Sequence, residues 1–152
     1  MVVRSLDPKK YQFRHKEDDE KILGPEVLYL NAIGALVYLA QCTRPNIAFA
    51  VNLLARFSSV PIRRHWNGIK HVCRYLSVTK DFGLFYPRKS VNDPKLVDYT
   101  NAGYLYDRHK AHSHTGYVFT YNGTAISWCS TKQTLVATSS NHSEILALHE
   151  AN

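Results

Sequence analysis

Cysteine is scarce in this sequence. Its three cysteines, Cys42, Cys73 and Cys129, are isolated from one another, so no pair has the spacing of a zinc motif. An odd number of isolated cysteines also argues against a disulfide framework, which is typical of small secreted proteins. We therefore expect reduced thiols in the core of an intracellular protein.

A long apolar run is lacking as well. Residues 22–43 are interrupted by Gly24, Pro25 and Glu26, and the apolar segment that remains is too short to cross a bilayer. Residues 1–10 carry charges where a secretory signal needs its apolar stretch. The sequence predicts no membrane span, no membrane partner and no signal peptide, and hence a location in the cytoplasm or nucleus.

Acidic residues are few and unevenly placed. The 152 residues contain 19 Lys and Arg against 12 Asp and Glu, a net charge of +7. Residues 1–86 hold 13 of these bases and 7 of the acids, whereas residues 87–152 hold 6 bases and 5 acids. Because the excess positive charge lies in the first part, that part is expected to bind a polyanion such as nucleic acid.

The order of the predicted elements indicates an α+β protein. Helical patterns occupy residues 28–41, 45–57 and 63–77, and a last helix starts at Asn141. Strand patterns occupy residues 84–86, 96–104, 115–121, 124–130 and 134–138, with a hairpin turn at Asn122 and Gly123. We divide the chain into a mobile lead-in (1–24), a helical region (25–86) and a β-β-β-α region (87–152).

The helix predicted at residues 63–77 is strongly amphipathic. At about 100° per residue, one arc is apolar and the other is cationic. The apolar arc contains Trp66, Ile69, Val72, Cys73 and Leu76, and the cationic arc contains Arg63, Arg64, Asn67, Lys70, His71 and Arg74. Two interpretations are open: a solvated cationic surface, or a face that follows the phosphates of a nucleic acid. The absence of acids from residue 62 to residue 80 favours the second.

Carboxylates are too few in the second part for a clear metal site. Two-metal hydrolysis needs several acids around the cations, and this part offers Asp93, Asp98, Asp107, Glu144 and Glu150. Asp98 cannot take the place of an acid at Asn101, because side chains three positions apart in a strand point to opposite faces. Glu144 has two open interpretations: a capping partner of Asn141, or a metal ligand facing the interior with Leu148 and Ala151. Asp107 is interpreted as a turn residue.

Histidines provide a weaker metal candidate. His109, His112 and His114 form a His-x-x-His-x-His cluster, but no thiolate or carboxylate stands at ligand spacing, so a titratable loop is favoured over a zinc or copper site. His142 and His149 share one face of the last helix, which is insufficient for a site.

Several motifs resemble one family over almost the whole chain. The helical region contains YLNAIGALVYL (29–39), CTRPNIAFAV (42–51), HW (65–66) and RYL (74–76). The later region contains YTNAGY (99–104), TGYVF (115–119), AISW (125–128) and STKQTLVATSSNHSEILA (130–147). These resemble, in order, the end of reverse transcriptase and the start of RNase H in copia-type LTR retrotransposon polyproteins.

The resemblance implies a thumb-like helical region followed by an RNase H-like β-β-β-α fragment. The family's first-strand acid aligns with Asn101, and its first-helix acid aligns with Glu144. Only Glu144 is therefore retained, as a vestigial catalytic residue and weak metal ligand, and the family's later acids would lie beyond Asn152. We expect no strongly bound cofactor, and Mg²⁺ or Mn²⁺ only if RNase H-like activity remains.

The function expected from this resemblance is that of a catalytically inactive polymerase/RNase H remnant. Residual, sequence-independent binding of RNA/DNA hybrids or other nucleic acids would involve Arg63, Arg64, Asn67, Lys70 and Arg74. One alternative is a metal-dependent RNase H that cleaves the RNA of hybrids. Another is a protein-interaction fragment, either domesticated or of the RxLR effector type, although residues 4–7 (RSLD) lack the second arginine of that motif.

Overall fold

The computed structural model describes residues 16–25, 27–86, 95–107 and 111–152. These residues form helices α1 (Tyr29–Cys42), α2 (Ala48–Ala55) and α3 (Arg63–Val78), strands β1 (Leu96–Asp107), β2 (His112–Tyr121) and β3 (Thr124–Lys132), and helix α4 (Ser140–Ala151). The α+β class and the order of helices, strands and helix are thus confirmed. The predicted boundary at residue 87, Asp93 and His109 lie outside the described residues.

The hydrophobic core lies among the first three helices. It is built by buried side chains from all three and from the turn before α2, namely Tyr29, Ile33, Leu36, Ala40, Ile47, Val51, Leu54, Ile69 and Val72. Tyr29 also donates its hydroxyl to the Leu54 carbonyl at 2.9 Å, which ties α1 to α2. Burial raises the pKa of this phenol to about 12. The helices thus share one continuous core.

The second predicted helix begins with a different geometry. Pro45–Ile47 form a 3-10 turn, and regular α-helix follows only from Ala48. Proline at the start is compatible with this turn, because its missing N–H has no partner to lose there.

The Cys42, Cys73 and Cys129 thiols are free, but two of them are exposed and Cys129 is half-buried. The expectation that they lie in the core was therefore wrong.

Helix α3 buries a slightly different arc from the predicted one. Ile69 and Val72 are buried, but Cys73 is exposed, and the buried arc is completed instead by His65 and Gly68. The His65 ring stacks on Phe57 with centroids 3.9 Å apart. Polar His65 thus occupies the core position that hydropathy assigned to apolar side chains.

The three strands form an antiparallel sheet in the order β1-β2-β3. Asn122 and Gly123 make the predicted turn between β2 and β3, with φ angles of 50° and 82° that these residue types accommodate. Residues 84–86 are not a strand. They contact β3 through hydrogen bonds that each join a side chain to a backbone carbonyl, such as the 2.6 Å bond from the Thr124 hydroxyl to the Phe85 carbonyl. Residues 134–138 are irregular and lead into α4.

Helices contact both faces of the sheet. On one face, the Gln133 amide donates to the Thr115 hydroxyl at 3.0 Å and to the Ser143 carbonyl of α4 at 2.8 Å. On the other face, the Trp128 indole donates to the Ala40 carbonyl of α1 at 2.6 Å. A three-stranded sheet with a single helix is expected to leave one face uncovered. Here α2 and the end of α1 contact that face at β3, while the β1 side chains on it, such as Tyr99, stay exposed.

The described end of the lead-in contacts α3. Ile22 forms an isolated antiparallel bridge with Ile62, and Glu20 makes a 2.6 Å ion pair with Arg64. These contacts hold residues 20–23 against the start of α3. Among the described helices, none is long and apolar enough to cross a membrane.

Candidate functional site

The cationic arc of α3 forms a continuous exposed surface. Arg63, Asn67 and Arg74 are exposed and Lys70 is half-buried, and their positions fall within about 60° on the helix at 100° per residue. We call these four residues the α3 cationic face. Because the opposite arc packs into the core, these cations are directed toward solvent.

Arg64 differs from the other cations of the arc. Its guanidinium donates to Glu20 at 2.6 Å and is half-buried beside α3. A carboxylate paired with an arginine partly offsets the positive charge of the guanidinium, so its attraction for a phosphate is weaker. The structure therefore assigns Arg64 to holding the lead-in, whereas the four residues of the α3 cationic face stay accessible.

A groove borders this face. It lies between α2, α3 and the end of β1, has a volume of about 700 Å³, and is lined among others by Phe49, Leu53, Asn67, His71 and Tyr106. Asn67 belongs both to the groove and to the α3 cationic face. Sequence patterns do not single out Phe49 or Tyr106, because Phe49 lies in an apolar helical pattern and Tyr106 follows the predicted strand 96–104.

Asn101 lies in the middle of β1, paired with Gly116, and is exposed. The register of β1 and β2 runs without interruption from Leu96 to Gly103, so Asp98 and Asn101 lie on opposite faces, as their spacing predicts. Asn101 shares the face of Gly116 and therefore that of Trp128, on which α1 packs. Its side chain is thus directed away from the face that α4 covers.

Glu144 is held by the backbone of β1. Its carboxylate accepts a hydrogen bond from the Ala102 N–H at 2.9 Å. The cap of α4 is Ser139, whose hydroxyl accepts from the His142 N–H at 3.1 Å, so the pairing of Glu144 with Asn141 was wrong. The buried line of α4 is Ser143 and Ala147, and Leu148 is exposed.

The positions expected to hold metal do not fit a two-metal site. Asn101 supplies an amide on the face opposite α4, and one oxygen of the Glu144 carboxylate accepts from a backbone N–H. In the part of the chain that the structure describes, no group of three or more His, Cys, Asp or Glu residues could hold a metal ion.

Asp107 and His142 have structural contacts. Asp107 ends β1 and lies 3.8 Å from Arg56 and 3.9 Å from Lys132, so its interpretation as a plain turn residue was wrong. His142 contacts the hydroxyl of Thr138 at 3.1 Å through its Nδ1 atom.

His114 is the best-defined histidine. The Arg56 guanidinium donates to its Nδ1 at 2.9 Å, which leaves Nε2 as the donor to the Ser130 hydroxyl at 2.8 Å. Burial and the adjacent Arg56 charge lower its pKa from 6.5 to about 4. This neutral ring joins α2 to the sheet, a contact between distant segments that local sequence patterns do not predict.

Comparisons with known proteins agree with the motifs. The chain is 44% identical over 125 residues to "Secreted RxLR effector protein 161" of Plasmopara viticola, covering 82% of this chain and 87% of that protein. It is 40% identical to the Pol polyprotein from transposon TNT 1-94 of Nicotiana tabacum and 39% identical to that from transposon RE2 of Arabidopsis thaliana, covering 87% and 76% of this chain. No protein-family profile and no solved structure matches the chain.

The helical region, the β-β-β-α region and these matches together define a retrotransposon-derived protein of the Pol polyprotein class. The chain belongs to the copia-type retrotransposon Pol family. The alignment with the protein named as an effector covers most of both sequences. The chain spans 10% and 8% of the length of the two Pol polyproteins.

Proposed function

We propose that this Pol-derived protein binds nucleic acid without sequence preference through the α3 cationic face. The observation that carries the proposal is the exposure of Arg63, Asn67 and Arg74, with Lys70 beside them, on a helix whose opposite arc is fixed in the core. Side chains on such a rigid helix can contact successive phosphates without ordering a loop. RNA/DNA hybrids and other nucleic acids are the proposed partners.

The test is a salt titration of binding to a labelled RNA/DNA hybrid, followed by fluorescence anisotropy. Three phosphate contacts give a log-log slope of affinity against salt of roughly −2 to −3. Replacing Arg63, Lys70 and Arg74 with glutamine should flatten this slope. The matched control replaces the exposed Lys16, Lys21 and Lys95 with glutamine, which removes the same charge elsewhere. Equal effects of the two triple variants would refute the proposal.

We further propose that the protein does not cleave RNA/DNA hybrids and binds no divalent metal strongly. Support comes from the amide at position 101 and from the hydrogen bond that engages Glu144. Incubation with a hybrid and Mg²⁺ or Mn²⁺ should yield no cleavage, and Asn101→Asp should not restore it, because residue 101 lies on the face opposite α4. Metal-dependent cleavage that disappears in Glu144→Ala would favour the alternative of an active RNase H.

A second candidate is an effector-like protein that acts by protein interaction. It is favoured by the 44% identity to a protein whose name describes a secreted effector. The residues that resemble the RxLR motif, 4–7, lie outside the described residues. A reporter fused to residues 1–152 and measured inside the cell and in the medium tests this candidate. Export of the reporter would support it, and full retention would count against it.

A further inference from the structure

The groove beside the α3 cationic face combines two kinds of wall. One wall is aromatic, formed by Phe49 of α2 and Tyr106 of β1, and the other is polar, formed by Asn67 and His71 of α3. Its volume of about 700 Å³ lies within the range of ligand pockets, roughly 300–1,000 Å³. The groove is therefore large enough, and mixed enough in chemistry, to take a planar polar ring.

The aromatic wall is fixed in place while part of it stays exposed. Phe49 and Tyr106 meet edge to face with centroids 5.0 Å apart, and Phe49 also meets His114 at 5.0 Å. Even so, Phe49 is 36% exposed and Tyr106 38% exposed. Aromatic surface that is rigid and open to solvent in a concave site is a suitable platform for stacking another ring.

An irregularity in β1 directs Tyr106 to this position. Gly103 pairs with His114 and Asp107 pairs with His112, so four steps along β1 oppose two steps along β2. Leu105 takes a left-handed φ of 49° within this stretch. Extra residues of this kind bend a strand and change the direction of its side chains, and they are common beside functional sites.

The polar wall is continuous with the phosphate-binding surface. Asn67 and His71 are one turn apart on α3, where side chains four residues apart are neighbours. Their amide and imidazole groups can both donate and accept hydrogen bonds, as the edge of a nucleobase requires. Asn67 is also adjacent to Arg63 and Lys70, so a strand whose phosphates contact these cations would bring a base to the groove.

We propose that the groove binds one unpaired nucleobase, which makes single-stranded nucleic acid the preferred ligand of the α3 cationic face. This inference rests on the proposed nucleic-acid binding. A duplex keeps its base faces stacked inside, whereas a single strand can offer one to an aromatic wall. Among the described residues that line the groove, the one arginine is Arg64, which is paired with Glu20. An uncharged ring therefore fits this groove better than the carboxylate of an acidic peptide.

The experiment compares the affinity of the complete protein for a 20-nucleotide oligo-dT strand and for a duplex of equal length at one salt concentration. The wild type should prefer the single strand by roughly ten-fold, within the range that stacking of one base on an aromatic ring contributes. Tyr106→Leu should remove most of this preference while leaving the salt slope unchanged. The control Tyr38→Leu, at an exposed tyrosine on α1 outside the groove, should retain it.

The outcomes separate this inference from the proposed function. Equal affinity for both ligands, or equal effects of Tyr106→Leu and Tyr38→Leu, would overturn the base-binding groove while leaving salt-dependent phosphate binding intact. Loss of all binding in the wild type would overturn both. If Tyr106→Leu does not fold, Asn67→Leu decides, because Asn67 is exposed and its replacement should also reduce the single-strand preference.

Discussion

Protonation of His114 should weaken the fold in mildly acidic solution. The neutral ring accepts from Arg56 through Nδ1 and donates to Ser130 through Nε2, so it joins α2 to the sheet. A protonated ring would lose its acceptor and place a second positive charge beside Arg56. Because the pKa is about 4 in the folded protein against 6.5 as the ordinary value, the unfolded chain takes up this proton at higher pH.

The size of the effect follows from these two pKa values. Stability from the neutral ring is fully present above the unfolded pKa of 6.5 and is lost progressively as the pH falls toward 4. Between pH 7 and pH 4.5 the expected loss in the free energy of unfolding is roughly 2 kcal/mol. For a domain with a total stability of about 5–15 kcal/mol, such a loss is readily measured.

Chemical denaturation at pH 7 and pH 4.5 provides the assay. Other histidines and carboxylates also titrate in this window, so the informative quantity is the difference between the wild type and His114→Gln at each pH. Glutamine can accept from Arg56 and donate to Ser130 but does not titrate. The wild type should lose roughly 2 kcal/mol more than the variant on acidification. An equal loss in both proteins would refute the role assigned to His114.

Three further predictions concern α4 and the distribution of stability. Ser139→Ala should lower the free energy of unfolding by about 1 kcal/mol, because it removes the cap of α4. Asn141→Ala should change the free energy of unfolding by less than about 0.5 kcal/mol. Denaturation curves that rank the two variants in reverse would contradict the observed cap. Glu144→Gln should speed hydrogen exchange of the Ala102 amide and lower the free energy of unfolding by about 1 kcal/mol, since a neutral acceptor replaces a charged one. An unchanged exchange rate would argue against this hydrogen bond. The backbone amides of residues 115–130 should exchange hydrogen faster than those of residues 28–57, because the buried side chains around the sheet are largely polar and those of the helices are apolar. Stronger protection of the sheet amides would contradict this prediction.

The helices were predictable from sequence because their periodicity is strong. Helix α1 starts and ends one residue later than predicted, and α3 starts at the predicted residue and ends one residue later. The exposure of Cys73 was not predictable, because it depends on how far the neighbouring helices extend across the edge of the apolar arc. The strand-like composition of residues 134–138 was misleading, since this segment leads into the Ser139 cap instead of joining the sheet.

The candidate site was predictable only in part. The α3 cationic face follows from periodicity alone, and the opposite faces of Asp98 and Asn101 follow from their spacing. Which of the two faces would meet α4 depends on packing between segments that are distant in sequence. The same reason accounts for Tyr106, whose position depends on the irregular pairing of β1 with β2.

The hydrogen bond from Trp128 to Ala40 makes Trp128 an intrinsic fluorescence probe of the contact between the sheet and α1. Ala40 lies in the last turn of α1, where carbonyl groups lack a partner within the helix, and the indole N–H supplies one from the sheet. The chain has two tryptophans, and the other, Trp66, packs against the helical core. Trp66→Phe would leave Trp128 as the single fluorescent tryptophan, at the contact between the sheet and α1. Its emission would then report when the sheet separates from the helices, independently of the unfolding of the helices themselves.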